Sequence, residues 1–138
     1  MTKSLMKLLA IPALLAGAVQ GLHFTNDIPV NSYYEVGTEF VLEWVPEART
    51  DGFRLQLSSF LSEPIYVGPP TGPWTGPQYD YKSQTVDLDL AVPFAAGNYT
   101  WVVEPWDNRT GSGWFYSFAA YWDLGSASPR SFHLKPAE

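Results

Sequence analysis

Apolar and polar residues alternate with a period of two along most of the chain, and this pattern predicts β-strands. Side chains of a strand point to opposite faces in turn, so such runs are typical of half-buried strands. The runs are Glu39 to Val45, Phe53 to Ser58, Val86 to Leu90, Tyr99 to Glu104 and Ser131 to Lys135. A shorter strand is expected at Leu22 to Thr25, with Leu22 and Phe24 pointing inward.

The inward face of each run predicts the core. Its members are Phe40, Leu42, Trp44, Phe53, Leu55, Leu57, Val86, Leu88, Leu90, Tyr99, Trp101, Val103, Phe132 and Leu134. Turn formers separate the runs at intervals of about ten residues, and no run has the helical period. The sequence therefore predicts an all-β chain: an immunoglobulin-like or fibronectin III-like antiparallel β-sandwich of about seven strands.

Two stretches deviate from simple alternation. Gly68 to Pro77 is rich in proline, which lacks the backbone donor of a sheet, so a long loop crossing between the sheets is expected there. Trp114 to Trp122 is apolar on both faces, which predicts a strand that lies inside the sandwich or is covered by a loop.

The first 21 residues have the features of a secretory signal peptide. Lys3 and Lys7 precede a short apolar run, and small residues follow it, which predicts cleavage after Ala18 or Gly21. The run is shorter than the about 20 apolar residues that span a bilayer; a buried N-terminal helix is the alternative interpretation. We therefore expect a secreted protein, extracellular or in the cell wall, with residues 22–138 as one domain.

Composition narrows the possible partners. The chain has no cysteine, so packing of its aromatic residues must replace disulfides. The net charge is −6, and loss of Lys3 and Lys7 with the leader would make it −8. Such a domain repels phosphate backbones and anionic lipids, so nucleic acid and membrane surfaces are expected to be poor partners. The polar C-terminus predicts no lipid anchor.

Several short segments resemble the N-terminal domain of a fungal cell-wall family, the Ser/Thr-rich lipid-anchored proteins and their glucan-synthesis relatives. They are Leu22 to Thr25 followed by Pro29, Gly37 before Phe40 to Trp44, Gly97 to Trp101, and Ser128 to Leu134. The family's Ser/Thr-rich stalk and anchor are absent from this sequence, and residues 105–128 are enlarged. The resemblance implies the sandwich fold and a cell-wall or host-facing setting, and it carries over no catalytic residue.

Candidate sites of modification and catalysis are few. Asn98-Tyr99-Thr100 and Asn108-Arg109-Thr110 are sequons, which predict glycans on Asn98 and Asn108 if the source is eukaryotic, chance occurrence being the alternative. His23 and His133 are expected on outward positions as solvated residues; the remote alternative is a copper-dependent polysaccharide oxidase that uses both. Carboxylates such as Glu39 and Glu43, or Asp87 and Asp89, are expected on solvated faces. We therefore expect no enzyme and no cofactor.

Aromatic residues outside the predicted core are the remaining candidates for binding. They are Trp74, Trp106, Trp114, Trp122, Tyr79 and Tyr81, with Tyr116 and Tyr121 beside them. Exposed rings next to polar groups stack on sugars or dock proteins; packing under long loops is the alternative. The sequence thus favours a secreted module that binds cell-wall polysaccharide, or else an effector or inhibitor that docks an extracellular protein.

Overall fold

Ten strands and one 3-10 helix (Phe94–Ala96) form the regular structure of residues 21–73 and 76–137, the part of the chain that the computed structural model describes. The strands are β1 (Tyr33–Glu35), β2 (Glu39–Glu43), β3 (Gly52–Leu61), β4 (Ile65–Gly68), β5 (Gln78–Asp80), β6 (Gln84–Pro93), β7 (Asn98–Val102), β8 (Trp114–Trp122), β9 (Gly125–Ala127) and β10 (His133–Lys135). The predicted signal peptide lies almost entirely outside the described residues, and so does Trp74. Both stay predictions.

The first layer is a four-stranded antiparallel sheet in the order β9-β8-β3-β6. In its centre, β3 and β8 pair continuously from Arg54 opposite Tyr121 to Leu61 opposite Trp114. Tyr116 and Phe132 exchange two backbone hydrogen bonds of 2.8 and 2.9 Å, which brings β10 beside β8. Strand β10 then pairs in parallel with β1.

The second layer consists of β2 and β7, which pair antiparallel with Phe40 opposite Trp101. The segment around Phe24 joins this layer through a bridge to Trp44, so the expected N-terminal strand is present as a short extended segment. Leu22 is buried and Phe24 is half-buried there.

Aromatic rings hold the two layers together. The ring of Phe118 on β8 lies 5.4 Å from Phe40 and 5.5 Å from Trp101, both in the second layer. Phe132 is 5.6 Å from Phe40 and from Phe118. Stacked and edge-to-face pairs at such distances add about 1 kcal/mol each to their area burial. The described residues are therefore all-β, and two layers packed on a shared aromatic core fit a β-sandwich.

Alternation predicts the faces of three strands well. In β2, β3 and β7 the side chains expected inward are buried or half-buried, and Trp114 to Trp122 forms a strand as predicted. In β6 the expectation holds for the half-buried Leu88 and is wrong for Val86 and Leu90, which are 43% and 67% exposed. Strand β6 is an edge strand, and two register shifts against β3 turn its side chains out of the regular pattern.

The proline-rich stretch from Gly68 to Pro77 does not cross between the sheets. It connects β4 to β5, which pair antiparallel with Tyr66 opposite Tyr79, and so it belongs to a β-hairpin. The prolines lie in the connection rather than in a ladder, where their missing donor costs no hydrogen bond. Short strands such as β4, β5 and β9 raise the number of strands above the about seven expected.

Candidate functional site

The hairpin formed by β4 and β5 exposes a group of apolar side chains. We term residues 62–82 the aromatic hairpin. Its exposed members are each between 48% and 58% accessible to solvent: Ile65, Tyr66, Val67, Tyr79 and Tyr81. Scattered single apolar residues are normal on a surface, whereas several of them on one short element indicate a candidate contact surface. Ile65 lies opposite Asp80 and Tyr66 opposite Tyr79, so Ile65 and the tyrosine pair occupy different faces of the hairpin.

Local sequence explains how the hairpin forms. Ile65, Tyr66 and Val67 are strong strand formers, and Gly68 ends the strand. Tyr66 lies directly opposite Tyr79, so the two rings share one face and their centroids are 5.8 Å apart at an interplanar angle of 72°. Both tyrosines of this edge-to-face pair are about half exposed, so their rings are accessible to a ligand.

Sequence reasoning found Tyr79 and Tyr81 but missed Ile65, Tyr66 and Val67. A signal for the missed residues was present, because three consecutive strand formers stand between Pro64 and the Gly-Pro-Pro turn. The run is too short to show alternation.

The aromatic hairpin is anchored at its base but does not contribute to the core. Among the described residues, none of those in the core cluster falls between 62 and 82. At the base, the backbone N–H of Leu61 donates to the carbonyl of Tyr81 (2.8 Å) and that of Ser62 donates to Gly113 (2.9 Å). The Ser62 hydroxyl also donates to the Ser112 carbonyl at 2.6 Å. The hairpin thus projects from a fixed root.

Arg109 reinforces that root from inside the molecule. It is only 6% exposed, and its Nη1 donates to the carbonyl of Lys82 at 2.8 Å and to that of Ser59 at 3.3 Å. Its guanidinium carbon lies 4.0 Å from the centre of the Trp114 ring, a cation–π contact. A single buried side chain therefore ties the end of the aromatic hairpin to β3 and β8.

Charges near the exposed rings are largely paired with each other. The Asp80 carboxylate accepts a hydrogen bond from the backbone N–H of Lys82 (2.9 Å), and the Lys82 ammonium lies 3.2 Å from its other oxygen. The backbone N–H and the ammonium of Lys82 lower the pKa of Asp80 below its ordinary value. The ring surface thus carries little net charge of its own.

The other aromatic candidates do not gather at the hairpin. Trp106 is half-buried, with its ring 5.3 Å from Tyr116 and its indole N–H buried without a hydrogen-bond partner among the described residues. Trp114 lies under Arg109, and Trp122 packs 5.8 Å from Phe94 at the opposite end of β8. Trp106 and Trp114 therefore mainly support the fold, whereas Trp122 belongs to a different surface.

Both predicted glycan acceptors lie on the surface. Asn98 is the first residue of edge strand β7, where it is exposed opposite the exposed Glu43. Asn108 is exposed in a turn and has a φ of 56°. Both side chains are accessible to a modifying enzyme, and glycosylation of either one stays a prediction.

The expectation that both histidines are solvated is wrong for His133. His23 is exposed, but His133 is 3% exposed because its ring is stacked between Tyr33 (4.8 Å) and Phe115 (4.3 Å). Its Nδ1 lies 2.8 Å from the Trp114 carbonyl and its Nε2 3.4 Å from the Asn31 side-chain oxygen. Neighbouring rings on β1 and β8 bury this outward position, which alternation alone does not reveal.

Carboxylates occupy surface positions. Asp87 accepts a hydrogen bond from the Gln56 amide at 2.9 Å, and Asp89 accepts one from the backbone N–H of Ala91 at 3.0 Å. Within the described ranges no three His, Asp or Glu side chains come together as a metal site would require. None of the helices there has the length and apolarity to cross a membrane.

Comparison with known proteins adds no relative. No family model matches the chain, and neither a curated protein nor a solved structure gives a match.

Proposed function

We propose that this chain is a secreted, non-enzymatic binding module that contacts cell-wall polysaccharide through the aromatic hairpin. The observation that carries the proposal is the group of exposed tyrosines and aliphatic residues on a hairpin that adds nothing to the core. Exposed apolar area of this kind costs solubility, so its presence on a projecting element is best explained by contact with a ligand.

The chemistry of a tyrosine fits a neutral polysaccharide. The ring offers a flat apolar face for the C–H face of a sugar, and the hydroxyl offers a hydrogen bond to its polar rim. Tyr66 and Tyr79 supply two such rings in edge-to-face contact, and Tyr81 follows on the same hairpin. The Asp80–Lys82 pair leaves the surface nearly neutral, so no charge on the ligand is required.

The strand pairing supports the finer assignment to an immunoglobulin-like or fibronectin III-like sandwich. The segment around Phe24 pairs with β2, which pairs with β7, while β6, β3, β8 and β10 form the facing layer. Immunoglobulin-like domains divide their strands between two sheets in a similar way. The predicted secretory leader supports a location outside the cell for such a module.

Retention on insoluble polysaccharide tests this function. We expect the mature protein to be depleted from solution by glucan or chitin particles, and the double variant Tyr66→Ala/Tyr79→Ala to stay in solution. Loss of two stacking rings is expected to weaken binding by at least about tenfold. Val30→Ala/Leu124→Ala is the control, because these two apolar residues are 68% and 92% exposed and lie outside the hairpin. Equal retention of the double variant and the wild type would contradict the proposal.

A second candidate function is docking to an extracellular protein. The specific observation in its favour is the exposure of Ile65 and Val67, which offer apolar area without a planar ring. It predicts no depletion by any polysaccharide, together with capture of a defined protein from extracellular fluid that the Ile65→Ser/Val67→Ser variant loses. The two functions therefore give opposite results in the retention assay.

A further inference from the structure

An open cleft of about 380 Å³ lies at the end of the molecule where β3 begins and β8 ends. Its lining combines apolar and charged side chains from three strands and their flanking turns. The members that matter here are Asp51, Arg54, Leu90, Tyr121, Trp122 and Asp123. Clefts of this volume fall within the range of small-molecule sites.

The rings of the cleft are well supported. Trp122 is half-buried and meets Phe94 edge-on at 5.8 Å. A Cβ built on Gly21 would come within 2.9 Å of the Trp122 ring, and one on Gly125 within 3.2 Å, so the indole lies close against two glycine backbones. Tyr121, next to it on β8, is 46% exposed. One ring is thus fixed in place and the other is open to solvent.

A β-bulge shapes the opposite wall. Phe53 pairs with Val92 but Leu55 pairs with Asp89, so β6 carries one more residue than β3 across this interval. Leu90 lies in that interval, and it is 67% exposed and lines the cleft. Bulges re-aim side chains in this way next to binding sites.

The polar groups are arranged as acceptors and donors with nearly balanced charge. Arg49 donates to both oxygens of Asp51, at 2.9 and 2.6 Å, and these bonds lower the pKa of the Asp51 carboxyl below its ordinary value. The Arg49 guanidinium also lies 4.0 Å from the centre of the Phe94 ring, the same ring that supports Trp122. Arg49 also pairs with Glu47 at 3.6 Å, so Arg49 and Arg54 stand against three carboxylates here, those of Glu47, Asp51 and Asp123.

Arg54 also forms an ion pair with a further carboxylate, since its Nε lies 3.8 Å from Asp87 Oδ1. The surroundings therefore keep a slight excess of negative charge, which disfavours a polyanion. Carboxylate oxygens that already bind a guanidinium still have lone pairs free for hydroxyl donors. Fixed and open rings together with such acceptors suit a ligand that has one apolar face and many hydroxyl groups.

From this geometry we propose that the cleft binds a short neutral saccharide, at a site separate from the aromatic hairpin. Tyr121 stacks on the sugar, Leu90 extends the apolar wall, and Asp51, Asp123 and Arg54 bond its hydroxyls, while Trp122, which packs inward on Phe94, reports on the cleft that it lines. The inference does not depend on what the hairpin binds, since the two sites share no residue.

Titration of the isotope-labelled mature protein with soluble trisaccharides, followed by amide and indole NMR signals, tests the proposal. The probes are neutral glucose and N-acetylglucosamine trimers, a cationic glucosamine trimer and an anionic galacturonic acid trimer. We expect at least one neutral trimer to shift the Trp122 indole signal, and Tyr121→Ala to weaken that binding about tenfold. Leu90→Ser should weaken it as well, while Leu124→Ser, which changes an exposed leucine outside the lining, should not.

The variants also separate this site from the hairpin. Tyr79→Ala should leave the shift of the Trp122 indole signal on trisaccharide addition unchanged, because Tyr79 does not line the cleft. Shifts with the cationic or anionic trimer alone, shifts confined to the hairpin, or no shift with any trimer would each overturn the proposal. If the protein is retained on insoluble polysaccharide but no trimer shifts the signals of the cleft, this inference is wrong and the proposed function is unaffected.

Discussion

At the residue scale, the most consequential side chain is a buried arginine that has no carboxylate partner among the residues the structure describes. Arg109 places a full charge at 6% exposure and satisfies it with two backbone carbonyls and the face of Trp114. Burying a charge costs free energy unless the charge is hydrogen-bonded, so we expect this arginine to have a structural role. What it holds is the root of the aromatic hairpin.

Replacing Arg109 by methionine should lower the free energy of unfolding by about 2 kcal/mol, because hydrogen bonds from a charged group to Lys82 and Ser59 are lost. Arg109→Lys should recover little, since an ammonium does not reproduce the planar fork and the stacking. Urea unfolding measures both values. Arg54→Met is the control, because Arg54 is 54% exposed and should change stability by less than about 0.5 kcal/mol. Full stability of Arg109→Met would contradict this role.

Tyr116 predicts how stability depends on alkaline pH. Burial raises its pKa above the ordinary value of about 10, and its hydroxyl donates to the Arg109 carbonyl at 2.9 Å. The stabilising contribution is complete below the unfolded pKa and is lost as pH rises through the folded pKa. Tyr116→Phe should cost about 1 kcal/mol at pH 7 and flatten the loss of stability above pH 10. Denaturant unfolding at a series of pH values checks it, and an unchanged alkaline slope would count against it.

At the element scale, alternation predicts which face of a strand is buried where the opposite layer covers that face. Phe40, Leu42 and Trp44 in and beside β2 are buried as the pattern requires, because this face of the strand packs against the first layer. On β6 the same pattern fails at Val86, which lies opposite the buried Leu57 and yet stays exposed at the edge of the sheet. Bulges and edges depend on partners that a single run of sequence does not contain.

The candidate sites likewise contain some residues that local sequence predicts and others that depend on partners distant in sequence. Tyr79 and Tyr81 were predictable as aromatics beside a loop. The pairing of Tyr79 with Tyr66 was not, because it depends on a hairpin whose connection contains four prolines and shows no hairpin signal in the sequence. The cleft joins Leu90 to Trp122 across three strands, and no motif of neighbouring residues encodes such a contact. His133 is buried by Tyr33 and Phe115, which lie far from it in sequence.

The turn between β6 and β7 gives a test at this scale. Gly97 has a φ of 81°, and a Cβ there would come within 2.9 Å of the Pro46 ring. Gly97→Ala should therefore destabilise the protein by about 2 kcal/mol, through backbone strain and the close contact. Gly113→Ala should have little effect, because Gly113 has no positive φ and no atom within 4 Å of the added carbon. Thermal unfolding of both variants measures the difference, and equal midpoints would refute the explanation.

At the scale of the whole molecule, the aromatic core and the aromatic surface are separate. Rings of Phe40, Phe118 and Phe132 join the layers without any disulfide, while the tyrosines of the hairpin make no contribution to that core. Surface variants should therefore remove binding without unfolding the protein. This separation makes the proposed function testable independently of stability.

Hydroxyl-radical footprinting of the mature protein, free and bound to polysaccharide particles, tests the central claim most directly. The account predicts that Tyr66 and Tyr79 become protected on the particles, while Val30 and Leu124, which are 68% and 92% exposed away from both surfaces, keep their reactivity. Unchanged oxidation of Tyr66 and Tyr79 in the bound protein would contradict it.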